Sequence, residues 1–471
     1  MRTAALIALA LIFQQPAVAE NSCSLPVPTA RHLPRWRGFN LTDKLHILMW
    51  RGPYSEEDFR LISKLGFNFV RLPIDYRVFL KDGDPEKFDE AQLKEIDQAI
   101  EWGRKYCIHV CLNLHRAPGY TVAEPPEPAS LWTDTQAQRL CALQWVMFAK
   151  RYKGIPSNRL SFNLLNEPAG VKPGPYIKVA SLLEAAIHKE DPDRLIISDG
   201  LQYGTIPVPE LASLPNVAQS TRGYYPHNLT QYTTKWKHIF TPSWPLCDKP
   251  SGRLAPARPG IVNGPFEAVT GLRLHVLNGS PGAELEISAD GKTLWSGTFA
   301  AGSFGRDCRA SIPAGAGHVR LRAVSGWLEI SEMGFSRAGA AEDVIEMDLN
   351  PARKPRPFGY KPGRHPPFTG LKNDGRNRLW VKCVAPWVEA QRQGVGVMVG
   401  EWGVISKTPH DVVLRWAEDS LANWQDAGWG WALWQFRGDF GILDSNRSDV
   451  HYEDFEGHKL DRQFLNLLQK Y

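Results

Sequence analysis

The chain has 471 residues, 43% hydrophobic and 22% charged, with 55 Lys and Arg against 50 Asp and Glu. Such a composition excludes a disordered or collagen-like chain, and the length is ample for a large buried core. The net charge of +5 is small and the basic residues are scattered, so no nucleic-acid-binding face is expected.

In chain order, Arg2 precedes the apolar run Ala4 to Phe13, and Ala17-Val18-Ala19 follows. A basic start, a short apolar core and an A-x-A site predict a signal peptide over residues 1–19. Its ten apolar residues are too few to span about 30 Å of hydrocarbon. The expected product is secreted, to the periplasm or the exterior, with no membrane anchor after cleavage. A repeated strand–helix rhythm then begins. Strands are expected at 38–41, 67–72, 109–114, 160–165, 195–198 and 216–220. Helices are expected from Ser55 to about Leu65, and near 90–106, 134–152 and 176–188. Short apolar strands alternating with longer helices indicate parallel βα units buried on both faces.

Near residue 250 the texture changes to Gly, Ala, Pro and Ser with alternating runs at 272–276, 284–287, 319–323 and 327–330. Asp290-Gly291 is a hairpin turn between two such stretches. This predicts an inserted all-β, sandwich-like module over 250–345. The rhythm resumes with a helix at 377–393, a strand at 396–399, a helix at 409–427, a strand at 429–434 and a helix at 460–469. Eight βα units predict an α/β fold, a (β/α)8 barrel with the β module inserted after strand six. The barrel is expected in two parts, 20–249 and 346–471.

Seven cysteines leave at least one thiol unpaired. Cys107 and Cys111 flank a strand-like segment, where four residues span about 13 Å, so both are expected as buried thiols. Cys247 and Cys308, at the entrance of the module and within it, are the expected pair. The absence of CxxC, HxH, HExxH and Gly-rich phosphate motifs implies no metal or cofactor.

In such barrels the site forms where the strands end. Those ends carry Arg71, His115, Asn166-Glu167, Tyr224, Glu401 and Trp434. Polar groups directly after buried apolar strands are costly unless paired or used. Two carboxyl groups on one barrel mouth suit glycoside hydrolysis, one protonated to assist the leaving oxygen and one ionised to attack the anomeric carbon. A catalytically retired sugar-binding barrel would lack one of these carboxylates. A metal-dependent amidase would need clustered His and Asp, and only His115 is so placed.

The segments Leu164-Leu165-Asn166-Glu167-Pro168 and Val399-Gly400-Glu401-Trp402-Gly403 resemble the two signature segments of glycoside hydrolase family 5. Gly66 to Pro73 and Leu112 to Tyr120 resemble two more, and the resemblance covers nearly the whole mature chain except the module. It implies Glu167 as acid/base and Glu401 as nucleophile of a retaining enzyme on β-linked glucan, with β-mannan hydrolysis or exo-attack as alternatives. It further implies that Asn166 binds the sugar 2-OH, Arg71 orients the nucleophile and His115 serves the −1 subsite. Tyr224 would bond to the nucleophile and Trp434 would lie under the −1 sugar. One departure stands out: Arg222 occupies the place of the family's histidine in its His-x-Tyr pattern. Arg222 would then add positive potential near the nucleophile, or His227 would compensate from the loop. Trp295 and Trp327 are candidate sugar platforms on the module, which would otherwise brace the fold or narrow the cleft. Trp50, Trp132, Trp236 and Trp402 are candidate exposed aromatics for further subsites.

Overall fold

In the computed structural model, eight parallel strands pair in sequence order and the last closes on the first. The structure describes residues 23–49, 52–232, 242–245, 249–340, 342–364, 367–371 and 375–471. The strands are β1 (Arg37–Asn40), β2 (Phe69–Asp75), β3 (His109–Arg116) and β4 (Leu160–Asn163). They continue with β5 (Ile196–Asp199), β6 (Val217–Gly223), β7 (Val397–Trp402) and β8 (Trp431–Leu433). Closure runs through β1 and β8, with Arg37 opposite Trp431. Almost every strand residue is buried, as expected for strands covered on one side by helices and on the other by the barrel interior.

The helical layer includes α1 (Glu56–Lys64), α2 (Glu90–Lys105), α3 (Thr135–Arg151) and α4 (Pro173–Glu190). Aspartates cap two of these starts: Asp89 accepts from Ala91 and Gln92, and Asp134 from Ala137. Between β5 and β6 there are only single turns at Leu201–Gly204 and Pro209–Ser213. The helix expected at 377–393 is broken by a π-helical turn, Trp380–Val384, that leads into Ala385–Arg392. The helices His410–Ala427 and Arg462–Lys470 follow.

The module enters after β6, as expected, and packs two sheets around its own apolar core. One sheet orders Lys292–Phe299, Ala283–Ala289, His318–Ser325, Gly260–Asn263, Phe358–Tyr360 and Phe368–Thr369. The other holds Arg306–Ile312, Thr270–Gly279, Leu328–Ser336 and Asp343–Glu346. Asp290 and Gly291, both at positive φ, make the hairpin turn between two of these strands. The sheets take in strands up to Thr369, beyond the expected limit of 345.

The cysteines correct two expectations. Cys107 is not a core thiol: it is bonded to Cys23, 84 residues earlier in the chain. Cys308 is a free buried thiol, and Cys247, its expected partner, lies outside the described residues. Cys111 is the buried thiol expected. A cross-link closing a loop of that length restricts the unfolded chain by a few kcal/mol in the chain-entropy account. The Cys23→Ser/Cys107→Ser variant is therefore expected to unfold with about 2–5 kcal/mol less stability in a denaturant titration. An unchanged midpoint would show that the bond contributes nothing.

Candidate active site

At the carboxyl ends of the strands lies a cavity of about 700 Å³. His115, Asn166, Glu167, Tyr224, Glu401 and Trp434 all line it, and Arg71 lies directly beneath. All seven sequence-predicted residues thus meet at one barrel mouth.

Arg71 projects from β2 with 1% of its side chain exposed. Its guanidinium is held from several sides, donating to Asn163 Oδ1 at 2.8 Å, Asn40 Oδ1 at 3.0 Å and Asn166 Oδ1 at 2.9 Å. The same group donates to Glu401 Oε1 at 2.5 Å. Tyr224 donates its hydroxyl to Glu401 Oε2 at 3.3 Å. Burial, then the charges of Glu401 and Glu167, hold the Tyr224 hydroxyl well above its ordinary pKa, so it stays a donor. Both Glu401 oxygens therefore face donors.

Glu167 follows β4 in the left-handed region, at φ 52°. A non-glycine residue there costs on the order of 1–3 kcal/mol and persists only where its surroundings impose it. Here they do: Asp199 accepts the Glu167 N–H at 2.9 Å, and the Tyr120 hydroxyl donates to its carbonyl at 2.7 Å. The Glu167 carboxyl is pushed up to about 8, first by burial and then by the charge of Glu401, while Arg222 pulls it down. A protonated carboxyl beside one that faces donors is the division of labour an acid and a nucleophile require.

Arg222 settles the departure at strand six. It reaches both glutamates, with Nε donating to Glu167 Oε1 at 3.1 Å and Nη2 lying 3.3 Å from Glu401 Oε1. His227 lies on the cavity wall near Lys382, not between the carboxyl groups. His115 is half-buried and stacks on Trp434 with ring centroids 5.6 Å apart. Burial, then Arg71 and Arg222, hold its pKa well below the ordinary value, so the ring is neutral. Asn166 accepts two guanidinium bonds on Oδ1, which turns its amide nitrogen towards His115 Nε2 at 3.5 Å. The proton then belongs on His115 Nδ1, which is buried without a partner among the described residues.

The aromatic expectations divide. Trp402 is fully buried, packed among Trp416, Trp424 and Trp431, and is no sugar platform. Strand alternation is the reason: with Glu401 pointing inward, its neighbour must point into the helical layer. Trp132 is half-buried against Tyr120 and Tyr176. Trp50 and Trp236 lie outside the described residues. On the module Trp295 packs at the core edge, and Arg253 covers a face of Trp327 at 4.2 Å. Among the described residues lining the cavity, none comes from the module. Asp199, Asn40, Asn163 and Tyr120 were not foreseen. Asp199, directly after the apolar run of β5, carries the same strand-end signal as the others.

Among the described residues no group of His, Cys, Asp and Glu is arranged to hold a metal ion, and no helix is long and apolar enough to cross a membrane.

A closed (β/α)8 barrel with two glutamates meeting at its carboxyl end defines a site of the glycoside hydrolase class. A model of the cellulase family, glycosyl hydrolase family 5, matches residues 26–249 of the chain. It is 30% identical to endoglucanase C of Acetivibrio thermocellus over 178 residues, 38% of this chain and 50% of the relative. It is 45% identical to a glucan 1,3-beta-glucosidase of Schwanniomyces occidentalis over 71 residues, 15% of this chain and 16% of the other. The chain thus spans half the length, or less, of these curated relatives. A solved glycoside hydrolase superposes with a TM-score of 0.61 at 28% identity, over 93% of this chain and 99% of the other. An endoglucanase of Thermotoga maritima shares the fold at 17% identity, with a TM-score of 0.53 over 92% and 96% of the two chains.

Proposed function

We propose that the protein is an exported retaining glycosidase that cleaves β-linked glucan. The observation that carries this reading is one guanidinium, Arg222, touching two carboxyl groups in a single cavity. A shared contact of this kind favours the close spacing of a retaining pair, about 5–5.5 Å, over the wider gap that admits a water molecule.

In the proposed reaction Glu401 attacks the anomeric carbon while Glu167 gives its proton to the departing glycosidic oxygen. A covalent glycosyl ester on Glu401 results. Glu167, now ionised, takes a proton from water, which attacks the same carbon and releases Glu401. Two inversions leave the β configuration in place. Asn166 would bond to a sugar hydroxyl, the His115 ring would line the −1 subsite, and the Trp434 indole would support the sugar ring. The glucan preference rests on relatives named as endoglucanase and glucan 1,3-beta-glucosidase. Export is supported by the basic-apolar N-terminus and by the Cys23–Cys107 bond, which belongs to an oxidising compartment.

The test is a reducing-sugar assay on carboxymethylcellulose, barley β-glucan, laminarin, xyloglucan, glucomannan and galactomannan. Cleavage of one or more glucans, with galactomannan untouched, is the expected result. Hydrolysis of mannans alone would overturn the glucan assignment.

A further inference from the structure

The Arg222 side chain is 1% exposed and reaches carboxyl groups from three different strands or their loops. Besides Glu167 and Glu401 it donates through Nη2 to Asp199 Oδ2. Asp199, fully buried at the end of β5, also accepts Asn163 Nδ2 at 3.0 Å and the Glu167 N–H at 2.9 Å. Two glycines leave room for the guanidinium arm. A Cβ on Gly400 would come within 3.0 Å of Arg222 Nη1, and one on Gly204 within 2.7 Å of its Cγ. Burial works against the Arg222 charge, but Asp199, Glu401 and Glu167 together outweigh it.

We propose that Asp199 and Arg222 form a positioning pair for the acid/base, in which Asp199 anchors both the Glu167 backbone and Arg222, and Arg222 aims the Glu167 carboxyl. The proposal rests on the glycosidase reading above. It assigns a role to a residue that replaces a titratable histidine with a permanent cation. The groups facing the Glu167 carboxyl are Glu401 from β7, Arg222 from β6, Asp199 from β5 and Arg71 from β2. The Tyr224 and Tyr120 hydroxyls face it as well. Among these Arg222 and Asp199 act in opposite directions: the cation favours loss of the Glu167 proton and the anion opposes it. Neutralising Arg222 should therefore raise the alkaline limb of the pH profile. Neutralising Asp199 should lower it. The limb thus reads the two charges, and the leaving-group dependence reads whether the pair aims the Glu167 carboxyl.

The experiment measures kcat/KM against pH for two aryl β-glycosides of the preferred sugar. One has a 2,4-dinitrophenyl leaving group, which needs no proton, and the other a phenyl group, which does. Arg222→Met and Asp199→Asn are each expected to lose at least about ten-fold more on the phenyl glycoside than on the dinitrophenyl one. Their alkaline limbs should move apart, upward for Arg222→Met and downward for Asp199→Asn, by roughly half a pH unit or more. Arg222→Lys, which keeps the charge, should keep the limb near that of the wild type. Should Arg222→Met not fold, Asp199→Asn/Arg222→Met leaves no buried charge of the pair unmatched and must show the same excess loss on the phenyl glycoside. Equal losses on both glycosides with an unmoved limb would overturn the pair's role. A wild type that cleaves neither glycoside would instead contradict the glycosidase reading.

Discussion

Glu401→Gln is expected to lower kcat/KM for every β-glycoside the protein cleaves by about four to six orders of magnitude, with the circular dichroism spectrum unchanged. The amide matches the carboxylate in shape, and its one oxygen can still accept from Arg71, which donates to Glu401 Oε1 at 2.5 Å, while its NH2 takes the place of Oε2 and faces the Tyr224 hydroxyl oxygen. It cannot form the covalent ester. Glu401→Gly with added azide should recover turnover on the dinitrophenyl glycoside and yield the α-glycosyl azide, because azide then enters from the vacated face. Residual hydrolysis by Glu401→Gln within ten-fold of the wild type would place the nucleophile elsewhere.

Glu167→Gln is expected to show a loss that depends on the leaving group. Protonation of a poor leaving group by a positioned acid contributes about 10²–10⁴-fold, so the phenyl glycoside should suffer by that factor and the dinitrophenyl glycoside far less in its first step. The pH profile separates the two forms further. Glu167 must be protonated for the first step, and its carboxyl is pushed up to about 8 by burial and Glu401. Activity of the wild type should accordingly persist above the ordinary carboxylate range and fall as pH rises through that value. In Glu167→Gln there is no proton to lose, and this limb should vanish. An alkaline limb that survives the substitution would belong to another group.

Much of this was legible in the sequence because parallel barrel strands are buried on both faces and read as uninterrupted apolar runs. Polar residues at the ends of those runs then stand out, which is how Arg71, His115, Glu167 and Glu401 were found. What escaped has physical causes. The Cys23–Cys107 bond joins residues 84 apart, a pairing for which local sequence carries no signal. The module's last strands, Phe358–Tyr360 and Phe368–Thr369, are three and two residues long, too short to show alternation. Asn40 and Asn163 sit inside strands, and their purpose appears only when Arg71 arrives from β2. Trp402 was misjudged although the signal existed, since a residue next to an inward-facing glutamate must face outward on a strand.

Arg222 combines both lessons. Its position, two residues before Tyr224, marked it in the sequence as a departure from the family pattern. Its partners, the buried Asp199 and Glu167 on the cavity wall, come from other strands, so only the fold reveals that the departure is accommodated by Gly204 and Gly400.

The central claim is that Glu167 and Glu401 act by double displacement, and the anomeric form of the first product tests it most directly. Proton NMR during the first minutes of hydrolysis of an aryl β-glycoside should show the β-hemiacetal appearing first, with the α form growing only through mutarotation. An α product appearing first would mean a single inversion by water, and would contradict the account.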